Sequence, residues 1–175
     1  MSLIRSGLLV LSLWVSSLSA QRIAMIDMKG HPDTLALRLV SERGFVSQPN
    51  QGSVRVVTGV LNGDAVTVHI HSSPISTRVW KAVVYHTPVK NFKKAAIDFE
   101  AKVAKLEARY GHWVEHSLDK KAKKARADWG QMAFFQNLHL IAEVVNQNQV
   151  AVRFILRDEQ MKYEEERLIN GTPLF

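Results

Sequence analysis

Two histidines, His69 and His71, stand two residues apart in the run Val66-Thr67-Val68-His69-Ile70-His71. On a strand that spacing puts both imidazoles on one face, the way a sheet presents a pair of metal ligands. His112 and His116 would share a face on a later strand, and two such pairs brought together would suit zinc. No H-E-x-x-H is present. The metal reading therefore rests on His69 and His71, against the plainer one of solvent-facing histidines on half-exposed strands.

A second kind of chemistry is offered by Lys120, Lys121, Lys123, Lys124 and Arg126, five cations in seven residues, with Trp113 and Trp129 on either side. Cations with aromatics nearby suit polyanions or anionic membrane surfaces. Ala122 and Ala125 are too small to anchor the segment in a core, so we expect an exposed insertion between strands, kept in solvent by its own repulsion. The plainer reading is an ordinary solvated loop.

Nucleophile signatures are missing. Ser72-Ser73 lies in a turn with no G-x-S-x-G around it, and neither G-x-x-x-x-G-K-[ST] nor G-x-G-x-x-G occurs, so no nucleotide cofactor is indicated. Asp and Glu are scattered over helix faces. Carboxylate pairs of the glycosidase kind converge in space rather than in sequence, so their absence from the sequence decides nothing. There is no cysteine among the 175 residues, which excludes disulfides, thiolate metal sites and cysteine nucleophiles. The net charge of +7 and pI of about 9.8 favour acidic partners.

The elements that must position these groups begin after residue 20. Arg5, the apolar run Gly7 to Val15 and the small residues Ser16 to Ala20 have the order of a secretory signal. Cleavage after Ala20, or one residue earlier, leaves a mature chain of about 155 residues. We expect a single α+β domain over 21–169 and a tail over 170–175. The Asn170-Gly171-Thr172 acceptor in that tail is followed by Pro173, which disfavours glycosylation.

The longest periodic stretch is Val89 to Gly111. Val89, Phe92, Ala96, Phe99, Val103, Leu106 and Tyr110 are spaced 3, 4, 3, 4, 3, 4, one stripe of a helix that begins after Pro88 and stops at Gly111. The stripe covers too few heptads for a coiled coil and predicts burial on a sheet, with Phe99 and Val103 in the core and Lys102 on the solvent face. Arg22 to Met28 reads as a lead-in strand. A first helix starts at Pro32, buries Leu35, Ala36, Leu39 and Val40, and ends at Gly44 with Phe45 folded back. Gln48 to Ser53 reads as a polar loop. Val54–Leu61 and Ala65–Ile70 are strands joined by Asn62-Gly63, the preferred type I′ pair, and Thr77–His86 is a third. Beyond Gly111, strands are expected over 112–118, 130–137, 138–145 and 149–156, then a charged final helix from Arg157 to Leu168. The two halves look alike, a helix followed by about three strands. We therefore expect one antiparallel sheet of about six strands, helices on one face, and a helix-plus-three-strand unit used twice.

Several of these segments resemble a group of small exported proteins of Bacteroides-type bacteria. The matching pieces are Lys29-Gly30-His31-Pro32 at a helix start, Gly44-Phe45 at its end, Leu61-Asn62-Gly63 in a hairpin, Trp80-Lys81-Ala82-Val83-Val84 in a strand, and Arg109-Tyr110-Gly111 closing a long helix. The match is one of layout and spans most of the mature chain. It implies export and an α+β fold, and it carries no functional residue. Two functions are then open. The first is an exported, non-catalytic binding or interaction domain in the periplasm or envelope, meeting an acidic envelope polymer, an anionic lipid surface or another protein, export arguing against nucleic acid. The alternative is an envelope hydrolase whose site is assembled from separated strands.

Overall fold

The computed structural model describes residues 26, 28, 30–131, 138–146 and 149–170. The signal-like segment, most of the lead-in strand and most of the C-terminal tail lie outside the described residues, as do most of the expected strand 130–137 and residues 147–148.

Helix α1, Pro32–Arg43, starts where the sequence places it. Pro32 takes the first position, and the His31 side chain accepts a hydrogen bond from the Asp33 N–H. Gly44 closes it in the left-handed conformation at φ 67°, and Phe45 N–H reaches back to the Leu39 carbonyl. Phe45 is buried, and its ring presses on strand β2 where Gly59 has no side chain. A Cβ at Gly59 would stand 2.6 Å from the ring.

Strands β1 (Val46–Gln51), β2 (Val54–Leu61), β3 (Asp64–Ser72) and β4 (Val79–His86) form a meander. Asn62 and Gly63 both have positive φ, 52° and 89°, as a type I′ turn requires. Helix α2, Phe92–Tyr110, then carries the chain to the far edge of the sheet. A second meander follows: β5 (Glu115–Asp119), β6 (Lys124–Gln131), β7 (Leu138–Asn146) and β8 (Val150–Asp158). The strand order is β1-β2-β3-β4-β8-β7-β6-β5, antiparallel throughout. Each meander runs inward from an edge, and the two meet where β4 pairs with β8. Helix α3, Glu159–Ile169, ends the fold, its Glu165 taking hydrogen bonds from the Ser73 hydroxyl and from the Ser76 and Ile75 N–H groups of the β3–β4 connection.

The α+β class and the single antiparallel sheet hold. The count of about six strands does not: among the described residues there are eight, and each half is a helix plus four strands. The two extra strands lie at or next to a sheet edge. Pro49 sits in β1 beside a register shift, where a missing N–H is tolerated. An edge strand of sequence SQPNQ has no apolar run by which to be recognised. The second extra strand is β6, inside the expected charged insertion.

A row of paired residues crosses the whole sheet: Ser47, Val57, Val68, Val84, Phe154, Ala142, Ala127 and His116. Its central members lie in the core with Leu35, Leu39, Phe99 and Val103, so α1 and α2 share this face. Small residues in the row, Ala127 and Ala142, let α2 lie close. Two expectations for α2 need correction. Val89 is outside the helix and instead bridges to Val150, its N–H donating to that carbonyl at 2.8 Å. Lys102 is only 8% exposed. The β2–β3 turn rises beside α2 and offers Asp64, so a position read as solvent-facing is walled in.

Candidate functional site

The basic run is not one patch. Asp119 folds its carboxylate onto the N–H groups of Lys121 and Ala122, at 2.9 and 2.8 Å, making a tight turn between β5 and β6. Lys120 and Lys121 lie in that turn, and Lys123 closes it at φ 53°. From Lys124 the chain is a strand. Ala125, Ala127 and Trp129 are buried on the helix side, with the Trp129 indole N–H donating to the Gly111 carbonyl. Lys124 and Arg126 project from the other face. The expected exposed insertion is therefore a hairpin with a buried inner row, and the alternation from Lys124 to Trp129 was its signal.

This geometry sends Lys120 and Lys123 toward α2. Between the hairpin and the first half of α2 runs a groove of about 860 Å³. Phe92, Ala96, Ile97, Leu118 and Val150 supply its apolar lining, and Ile97 is 65% exposed. Lys90, Lys93, Lys120 and Lys123 stand around it, all exposed. Glu100, the groove's carboxylate, is paired with His116 Nε2 at 3.2 Å. The helix end makes the imbalance sharper. Asn91 caps α2 by accepting from Lys94 N–H, and the first turn holds no acidic residue. An α-helix favours negative charge at its N-terminus, yet this one carries Lys93 and Lys94 there. Lys90 and Lys93 were not singled out from the sequence, although VKNFKK shows cations at the wrong helix end.

Arg126 plays a different part. On the face of the sheet away from α1 and α2 the paired residues Thr67, Tyr85, Arg153, Glu143 and Arg126 form a row. Arg126 is held 2.6 Å from Asp128 and 3.7 Å from Glu143, and Arg153 grips Glu143 as well. Its charge is thus neutralised within the sheet. His69 and His71 lie on the same face, their rings 6.5 Å apart, with His69 4.9 Å from Tyr85. Burial pushes both imidazoles down in pKa, His71 to about 4 with help from Lys81 and His69. A cation beside His71 opposes a metal ion, and among the described residues no group of three or more candidate ligands forms. His112 and His116 do not pair on a strand. His112 precedes β5 and binds Glu107, while His116 faces α2, stacked on Phe99 and near Trp113.

A second polar cluster went unread in the sequence because its members come from β3, β4 and α2. Lys102 Nζ lies 2.9 Å from Asp64 and 2.8 Å from Asp98. Burial works against its charge, but the hydrogen bonds to Asp98 and Asp64 prevail and hold its pKa above the ordinary range. The bond from Lys102 likewise keeps Asp64 low. His86, buried beside them, is pushed down to about 4 by burial and then by Lys102.

Comparison of the chain with models of known protein families, with curated proteins and with solved structures finds no match.

Proposed function

We propose that this chain is a non-catalytic binding domain that works outside the cytoplasm and holds an anionic amphiphile of the cell envelope in the groove between α2 and the β5–β6 hairpin. The observation that carries this reading is four exposed lysines around an apolar floor, at a helix end that has cations where anions are favoured. The lysines take an anionic headgroup and the floor takes part of its hydrocarbon. Near an anionic surface each cation contributes about 1 kcal/mol, and salt weakens this within a Debye length of about 8–10 Å. The signal-like order of residues 1–20 and the layout shared with small exported proteins of Bacteroides-type bacteria support a periplasmic or extracellular location. No helix among the described residues is long and apolar enough to cross a membrane.

Co-sedimentation with vesicles tests this. The protein should bind phosphatidylcholine vesicles containing phosphatidylglycerol, and should bind phosphatidylcholine alone weakly. Replacing Lys120 and Lys123 with Gln should weaken binding more than replacing Lys121 and Lys124, which have the same charge but do not line the groove. Ile97→Asp should weaken it too. Equal loss from both lysine pairs, with no effect at Ile97, would mean that charge alone acts and that the groove is not the site.

A further inference from the structure

The groove beside α2 says more about its ligand than the sign of its charge. Its four lysines come as two pairs from two elements. Lys90 and Lys93 flank the start of α2, and Lys120 and Lys123 belong to the β5–β6 turn on the other side. Phe92, Ala96 and Ile97 of the helix, Leu118 of the hairpin and Val150 of β8 line the space the pairs share.

None of the four is answered from within the protein. Among the described residues the side chains of Lys90, Lys93, Lys120 and Lys123 have no ion pair and no hydrogen bond. Cations elsewhere are treated differently: Arg55, Lys102, Arg126 and Arg153 each hold a carboxylate. Glu100 is the groove's carboxylate, and it is turned to His116, whose ring is stacked on Phe99. Lysines gathered without partners repel one another, and a ligand that answers them relieves that repulsion. Lys123 is a second sign. It holds the left-handed backbone at φ 53°, where a residue other than glycine is strained. The turn carries a cation there despite the strain.

Charge then sizes the ligand. Four lysines against one carboxylate leave an excess of three positive charges. A phosphodiester carries one negative charge, and a single one seated on either pair leaves the other pair bare. Two phosphates, one on each side, answer both. The groove's volume of about 860 Å³ lies toward the upper end of the range for organic ligands, roughly 300–1,000 Å³, so a double headgroup has room. Asn91 and Asn146 also reach the groove, and their amides suit the hydroxyl of a linking polyol.

We propose that the groove is selective for a lipid whose headgroup carries two separated phosphates, each taken by one lysine pair. Its hydrocarbon lies against Phe92, Ile97 and Leu118. This selectivity rests on the groove being the site of an anionic amphiphile, and it narrows that ligand to one headgroup class.

Cardiolipin, two phosphodiesters linked by glycerol, is the probe. Phosphatidylglycerol, with one phosphodiester, is the control. Each is carried in phosphatidylcholine vesicles, matched in negative charge. Co-sedimentation should give roughly tenfold tighter binding to the cardiolipin vesicles. The double variant Lys90→Gln, Lys93→Gln and the double variant Lys120→Gln, Lys123→Gln should each lose that preference, so that cardiolipin is bound no better than phosphatidylglycerol. All four positions are exposed, and the first pair takes cations away from a helix N-terminus, so both variants should fold. Lys121→Gln with Lys124→Gln should keep the preference, because neither residue lines the groove. Equal binding of the parent to the two vesicles overturns the two-phosphate assignment and leaves the groove reading standing. A preference that survives in either groove variant, or is lost as well in the Lys121, Lys124 variant, also overturns it. Binding to neither vesicle overturns the groove reading itself.

Discussion

Lys102 holds two carboxylates from two directions, Asp98 one turn back on α2 and Asp64 on the β2–β3 turn. Lys102→Ala leaves both unpaired beside a buried histidine, and we expect a loss of about 1–3 kcal/mol by urea denaturation. The partners are partly exposed, which keeps the cost below that of breaking a fully buried pair. His86 makes the same corner sensitive to acid. Folded, it takes a proton only near pH 4, whereas in the unfolded chain it does so near 6.5. As pH falls from 6.5 toward 4 the unfolded state therefore binds a proton that the fold refuses, and stability is lost across that window, on the order of 3 kcal/mol. Lys102 opposes protonation, while Asp64 and Asp98 favour it less strongly. His86→Phe should flatten this slope; an unchanged slope between pH 6.5 and 4 would place the acid sensitivity elsewhere.

Elements in this protein are joined by close approaches that single side chains decide. Phe45, turned back from the end of α1, lies on the bare backbone of Gly59. Gly59→Ala puts a methyl group against a buried ring, and about 1–3 kcal/mol of destabilisation should follow. A change of midpoint below a few tenths would show that Phe45 moves aside freely. The β5–β6 hairpin behaves in the opposite way. Lys123 holds a left-handed conformation that glycine adopts without strain. Lys123→Gly should leave stability unchanged or slightly raised, while removing one cation from the groove and weakening vesicle binding. If instead the hairpin unfolds, Lys123 is held by packing rather than by turn geometry. Replacing Lys120, Lys121, Lys123 and Lys124 together with Gln should stay within about 0.5 kcal/mol of the parent, since the hairpin is held by Ala125, Ala127 and Trp129 on its inner side.

At the scale of the molecule, two inward-running meanders share one face covered by α1 and α2, while the other face carries the Thr67-to-Arg126 polar row beside the buried side chains of Val56, Val83 and Ile141. The lysine groove and the Lys102 cluster both rest on α2, so this one helix organises both. Whether the molecule meets an envelope ligand depends on where it is sent. Mass spectrometry of the exported product should find Gln21, or Ala20, at the N-terminus. Full-length protein retained in the cytoplasm would remove the envelope from the proposed function while leaving the groove to be explained.

Local chemistry was enough to determine much of this. The stripe of α2, the proline start and glycine stop of α1, and the Asn62-Gly63 turn each follow from side-chain periodicity or backbone freedom within a few residues, and each was legible. Edge strand β1 was not, because its identity is supplied by the hydrogen bonds of β2 rather than by its own polar residues. The basic run shows both sides of the matter. Its cations could be counted in the sequence, but only the register of β6 decided that Lys120 and Lys123 join Lys90 and Lys93 around an apolar floor while Arg126 is neutralised by Glu143 and Asp128. Lys102, His86 and Asp64 meet from positions 16 and 22 residues apart. No local rule brings them together. The pairing of β3 with β4 and the passage of α2 across the sheet do, through burial that depends on the whole chain.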